Sequence, residues 1–204
     1  MTSISKNMFI NAVFLGMFTI AGTAIVAFTF EKTEQRIVDN KREYKLRKLH
    51  ELIPPDMHDN DLNTDTKIVR DALLARDMDM TVYRARKNNK PVAAIIECIA
   101  PDGYSGKIRL LVAVNVDGTL AGVRVTEHLE TPGLGDAIEA NKSDWINIFK
   151  DKSLDKPEPT HWRVRRDGGE FDQITSATIT SRAVVKVTYN VLEYFKTNQK
   201  SLFN

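Results

Sequence analysis

The chain has 204 residues, room for one sizeable domain with attachments, and its 42% apolar and 27% charged residues are the proportions of a folded protein, not of a disordered or fibrous one. A formal net charge of +2, with no basic stripe interleaved with aromatics, argues against nucleic acid as a partner. A single cysteine, Cys98, excludes an internal disulfide framework, and with neither CxxC nor HExxH present no metal site is expected.

Residues 7–30, NMFINAVFLGMFTIAGTAIVAFTF, contain no charge. A helix of that length spans about 35 Å, enough to cross a bilayer core of about 30 Å. The run is longer than a signal-peptide core and lacks a small-x-small cleavage site before the charges begin. A buried core helix is the other alternative, but one apolar all round at the extreme terminus is seldom buried in a single domain. Residues 1–30 therefore read as an uncleaved membrane anchor. Its orientation is open at this point. Lys6 precedes the run, whereas Lys32, Arg36, Lys41, Arg42, Lys45, Arg47 and Lys48 follow it. A simple count of positive charges puts the body in the cytoplasm, yet long domains translocate largely regardless of charge.

Residues 31–89 read as a stalk and the first part of the soluble body. EKTEQRIVDNKREYKLRKLHELIPP gives a polar helix with a thin apolar stripe, Ile37, Leu46, Leu49, Leu52 and Ile53, stopped by Pro54 and Pro55. Its basic side chains are either simply solvated or able to meet anionic lipid. Residues 56–67 are polar loop, and residues 68–86 suggest a short helix followed by a strand. The pattern then changes. PVAAIIECIA, KIRLLVAVN and LAGVRVTEHLE are rich in β-branched and aliphatic residues and are separated by PDGYSG and VDGT, the pattern of a three-stranded antiparallel meander. Ile108, Leu110, Val112, Val114 and Val116 alternate onto one face, which helices should cover. Cys98 falls inside the first of these strands as a small apolar residue.

The next segment, ETPGLGDAIEANKSDWINIFK, begins with a loop containing Pro132, Gly133 and Gly135, and places Ile138, Trp145, Ile146 and Phe149 on one side of an expected helix. The glycines match neither a dinucleotide fingerprint nor a P-loop. The loop is either a plain strand-to-helix turn or a place where backbone NH groups approach a planar ligand or a phosphate. A polar linker, DKSLDKPEPT, leads to an expected strand, HWRVRRDG. Residues 175–181 then carry five hydroxyl side chains, and from Thr180 onward Val184, Val187, Val191, Tyr194 and Phe195 recur at helical spacing. Hydroxyls at a helix mouth serve as caps, but one cap needs one hydroxyl. A helix N-terminus also favours an anion, so the cluster points to a phosphate, without saying whose.

The sequence DQITSAT, residues 172–178, resembles the Asp-x-x-Ser/Thr-Gly-Ala-Thr flavinylation motif: Asp172, Thr175, Ala177 and Thr178 match, and Ser176 stands where the pattern usually has Gly. APDGYSGKIRLLVAV, RVTEHLETPGLGD and ITSRAVV are similar to other parts of the FMN-binding domain family. With one N-terminal span and this length, the chain resembles the G subunits of Rnf electron-transport complexes, over residues 90–204 and the anchor. The resemblance implies an α+β fold, with a transmembrane helix followed by an antiparallel-sheet FMN-binding domain, residues 90–204, packed with helices. It also implies FMN joined to Thr178 by a phosphoester, placed by a flavin transferase that takes it from FAD in the periplasm. Asp172, Thr175, Ser176 and Ala177 would complete the attachment segment, and Tyr104, Glu130, Thr131, Gly133 and Leu134 would flank the cofactor. Glu130 would shape the loop, with Thr131 and Leu134 the better candidates for direct contact. No residue would act as a catalytic acid, base or nucleophile. The implied function is electron relay between ferredoxin and NAD, coupled to ion transport, beside other membrane subunits and lipid in a bacterial inner membrane. The C subunit of the sodium-pumping NADH:quinone reductase is the nearer alternative, though it is usually longer. An anchored interaction module whose hydroxyls only cap a helix is the alternative of another class.

Overall fold

The computed structural model describes residues 3–204, in two compact units divided between Tyr44 and Lys45. Helix α1 (Ser3–Leu52) begins in the first unit and ends in the second. In the first unit its apolar side chains are left outside any core: Phe18 is 76% exposed, Ile20 72% and Leu15 70%. Thr19, Thr23 and Thr29 each donate a hydroxyl hydrogen bond of 2.8 Å to the carbonyl four residues back, so these hydroxyls are satisfied within the helix. It is the one helix among the described residues long and apolar enough to cross a membrane, with a mean hydropathy of 2.0 over its most apolar window.

The second unit is an antiparallel meander of five strands in sequence order: β1 (Thr66–Val69), β2 (Met80–Lys87), β3 (Lys90–Ala100), β4 (Ile108–Asn115) and β5 (Leu120–Glu127). The β2–β3 turn uses Asn88 and Asn89, both at positive φ, which matches the twist of a two-residue hairpin. Alternation along the strands buries both faces. Val82, Ile96, Leu110, Val112 and Val114 face α2 (Thr178–Leu202), whose Val184, Val187, Val191 and Phe195 complete that core. Tyr83, Ala85, Ala93, Ile95, Leu111 and Ala113 form the other face, covered by Leu49, Leu52 and Ile53 from the end of α1. A Cβ on Gly122 would stand 3.0 Å from Leu52 Cδ2, so the glycine lets the helix end settle on β5. Cys98 is buried at 1% exposure, and burial pushes its thiol well above the usual range.

Five local expectations are corrected. The short helix expected from residue 68 is strand β1 and a single turn on Asp71, whose carboxylate accepts the Leu73 NH at 2.8 Å while Leu74 drops into the core. The helix expected after the glycine loop is two 3-10 turns, Gly135–Ile138 and Trp145–Phe149. Between them Ser143 donates to the Ala137 carbonyl and accepts the Trp145 NH, which diverts the backbone from a continuous ladder. HWRVRRDG is not a strand but two more 3-10 turns with one parallel bridge, Val164 to Phe171. Trp162 packs there on Phe149, Phe171 and Tyr189, and this aromatic burial outweighs strand propensity. Val116 lies past the end of β4 in the turn closed by Gly118 and is 40% exposed, off the buried face. Ile37, from the expected stalk stripe, is likewise exposed, at 47%.

Candidate functional site

The hydroxyl-rich segment is a turn into α2, and none of its hydroxyls caps the helix. The N-cap position is Ala177, with no side-chain cap bond, so the first-turn NH groups are left to other partners. The capping explanation for the cluster therefore fails. Ser176 has a φ of 66°, the left-handed region in which glycine is at ease, which accounts for the glycine usual at this position in the motif. The turn is fastened from inside: Ser181, fully buried, accepts the Ile174 NH at 3.0 Å and donates to the Ala177 carbonyl at 3.0 Å. Thr175 and Ser176 are exposed, and Thr178 is half-buried.

A cavity of about 550 Å³ opens at this helix mouth. Its walls are the run 176–180, Glu130, Thr131, Leu134 and Gly135 from the loop after β5, Tyr104 from the β3–β4 loop, and Arg166. The fold thus brings together Tyr104, Glu130, Thr131, Leu134, Ser176, Ala177 and Thr178 from three distant stretches. Gly133, Thr175 and Asp172 do not line it. Gly133, at a φ of 78°, turns the loop so that the Thr131 carbonyl accepts the NH groups of Leu134 and Gly135. Asp172 is a fastener: its carboxylate pairs with Arg165 at 3.0 Å and its carbonyl accepts the Trp145 indole NH at 2.6 Å.

Glu130 is the buried polar centre, 4% exposed. Its Oε1 accepts the Ser105 NH at 3.1 Å and its Oε2 the Thr180 hydroxyl at 2.6 Å, so one carboxylate ties the β3–β4 loop, its own loop and α2 together. Sequence reasoning misses Thr180, Ser181 and Arg166. The first two are hidden because a hydroxyl facing a core and one facing solvent look alike in sequence. Arg166 is hidden because its segment reads as a strand. The turn carrying it is fixed to α2 and to the segment before it: Arg182 forks onto Asp167 at 2.5 and 2.6 Å, and the Arg166 backbone NH donates to Gln173 Oε1 at 3.2 Å. The hydrogen bond from Arg182 holds the Asp167 carboxyl below its ordinary range. Among the described residues the Arg166 side chain has no ion-pair partner, so a cation, uncapped NH groups and the Thr178 hydroxyl share one cavity. That set suits a ligand with an anionic end and a larger body.

Comparison with known proteins agrees with this reading. The FMN-binding domain family matches residues 103–193, which hold every cavity wall, and the RnfG N-terminal region matches residues 1–52. Similar full-length relatives are the ion-translocating oxidoreductase complex G subunits of Shewanella amazonensis, 44% identical over 98% of this chain and 93% of the relative, and of Pseudomonas aeruginosa, 44% identical over 97% and 92%. The Vibrio atlanticus protein of the same name is 42% identical over 94% of this chain and 92% of its own.

Proposed function

Since the chain belongs to the G-subunit family of ion-translocating oxidoreductase complexes, we propose that it is the membrane-anchored flavin subunit of an Rnf complex, carrying FMN in covalent linkage to Thr178. The observation that carries the attachment is the state of one hydroxyl. Within the first turn of α2, Thr180 is buried and bonded to Glu130, whereas Thr178 lines the cavity and its hydroxyl makes no hydrogen bond among the described residues. The residues fit the group. Thr178 Oγ1 offers the ester oxygen, the uncapped NH groups of α2 and the Arg166 guanidinium suit the remaining phosphate charge, and the cavity volume is that of ordinary cofactor sites. When bound, the flavin supplies reversible uptake of electrons. The protein's residues hold it: Leu134 and Tyr104, 45% and 68% exposed, give apolar surface at the mouth, and Thr131 and Ser176 give hydroxyls. No residue moves a proton or attacks a substrate in this scheme.

Electrons pass to and from other subunits of the complex, between ferredoxin and NAD, and α1 holds the protein in the inner membrane among lipid with its body in the periplasm. Maturation there by a flavin transferase is part of the same reading. The test is Thr178→Val, co-expressed with the transferase. The variant should fold, because the lost oxygen bonds to nothing, and should show no flavin fluorescence in a denaturing gel. Peptide mass mapping of the wild type should find an FMN-sized addition on Thr178, and the same addition on Thr175, Ser176 or Ser181 would overturn the assignment.

A further inference from the structure

Resting on the reading that the cavity holds FMN, we propose that Glu130 sets the reduction potential of the flavin and that His128, held by Glu139, is the residue that positions it. Both Glu130 oxygens accept hydrogen bonds, from the Ser105 NH and the Thr180 hydroxyl, which is the acceptor-only arrangement of an ionised carboxylate. Among the described residues it has no ion pair with a Lys, Arg or His, although it is 4% exposed. A buried charge without a counter-charge is costly, and a neutral amide could tie the same loops. The side chain is closely packed: a Cβ on Gly135 would lie 2.8 Å from Oε2, and one on Gly103 would lie 2.8 Å from Oε1 as well as 2.3 Å from the Gly106 carbonyl. Two donors from separate segments thus converge on one carboxylate in the cavity wall.

The consequence for a redox ligand is electrostatic. A fixed negative charge opposes the arrival of electrons beside it, so it lowers the potential of whatever accepts them. Position matters because the effect falls with distance, and position is the part His128 controls. Its Nδ1 accepts the Glu130 backbone NH at 3.0 Å, and its Nε2 lies 2.9 Å from Glu139 Oε1, so the ring proton sits on Nε2 and is donated to Glu139. The ring is fixed in one tautomer and in turn fixes the backbone from which the Glu130 side chain reaches Ser105 and Thr180.

The experiment is a spectroelectrochemical titration of the flavin in the full-length, flavinylated protein. Glu130→Gln should raise the potential, by about tenfold in the equilibrium between oxidised and reduced forms, or about 30 mV for two electrons. Glu130→Asp keeps the charge and should stay nearer the wild-type value, which separates charge from lost contacts. His128→Ala should move the potential in the same direction as Glu130→Gln, and His128→Asn, whose Oδ1 replaces Nδ1 as acceptor, should restore it. An unchanged or lowered potential in flavin-loaded Glu130→Gln, or equal shifts in the Gln and Asp variants, overturns the electrostatic role. Equal potentials in His128→Ala and wild type overturn the positioning role. A wild-type chain with no flavin overturns the underlying FMN reading, and this proposal falls with it.

Discussion

At the scale of single residues the turn into α2 carries a local backbone strain. Ser176 sits at a φ of 66°, where a residue with a Cβ is destabilised by roughly 1–2 kcal/mol. Glycine removes that cost but widens the unfolded ensemble, which takes back about 0.4–1 kcal/mol. The two effects leave Ser176→Gly more stable by between about 0 and about 1.6 kcal/mol, because relief of the strain is the larger of them over most of that range. Thermal melting of the unflavinylated protein checks this, and a clear drop in melting temperature would show that the serine side chain contributes something the geometry does not reveal. At this scale the site was half legible. Thr178 stood out through its place in DQITSAT, and Glu130, Thr131 and Leu134 through ETPGLG. Asp172 stands in the motif, and its carboxylate pairs with Arg165, a contact that the motif does not show because a motif records which residues accompany an activity, not what each one touches. Thr180 was missed for the complementary reason: its role depends on Glu130, fifty positions away in sequence.

At the scale of elements, the end of α1 is locked to the sheet by a polar cluster as well as by Leu49, Leu52 and Ile53. Lys45 Nζ lies 2.6 Å from Glu97 Oε1, and the Tyr83 hydroxyl donates to the same oxygen at 2.9 Å. Burial would raise the Glu97 carboxyl, but the bonds and charge from Lys45, with help from Tyr83 and Thr81, outweigh it and hold it below its ordinary range. Burial would lower the Lys45 amine, but its bond and charge interaction with Glu97 leave it raised. The signs give a window. The depressed carboxylate contributes stability that is fully present above its unfolded value of about 4.3 and lost as pH falls through its folded value. The raised amine contributes stability present below about 10.4 and lost as pH rises through its folded value. Glu97→Gln should therefore flatten the acid limb of a stability-against-pH curve. Because the Lys45 side chain is 43% exposed, its neutral-pH cost is only about 1 kcal/mol, or about 2–4 °C in Tm. An acid limb identical to the wild type would count against the pair. Elements were read well where one period dominated, as in β3, β4, β5 and α2. They were misread at residues 139–171, where the core is filled by Trp145, Phe149, Trp162 and Phe171 on short turns with no period for a sequence to display.

At the scale of the whole molecule the open matter is which side of the membrane holds the sheet. Local charge favours the cytoplasm, since one lysine precedes the apolar run and seven basic residues lie between positions 32 and 48. One consideration weakens that count: residues 31–204 form a long following segment of the kind that translocates largely regardless of flanking charge. The chemistry favours the other side. If FMN is joined to Thr178 by a transferase acting outside the cytoplasm, as the flavinylation motif implies, the cavity must be exposed there when α2 folds. Cavity and sheet belong to one unit, Lys45–Asn204, so they cross together or not at all. The expectation is that alkaline phosphatase fused after Asn204 is active in cells, and that a fluorescent protein able to mature only in the cytoplasm stays dark at the same position. The converse pair, a dark phosphatase and a bright fluorescent protein, would put the body in the cytoplasm and require the flavin to be attached there.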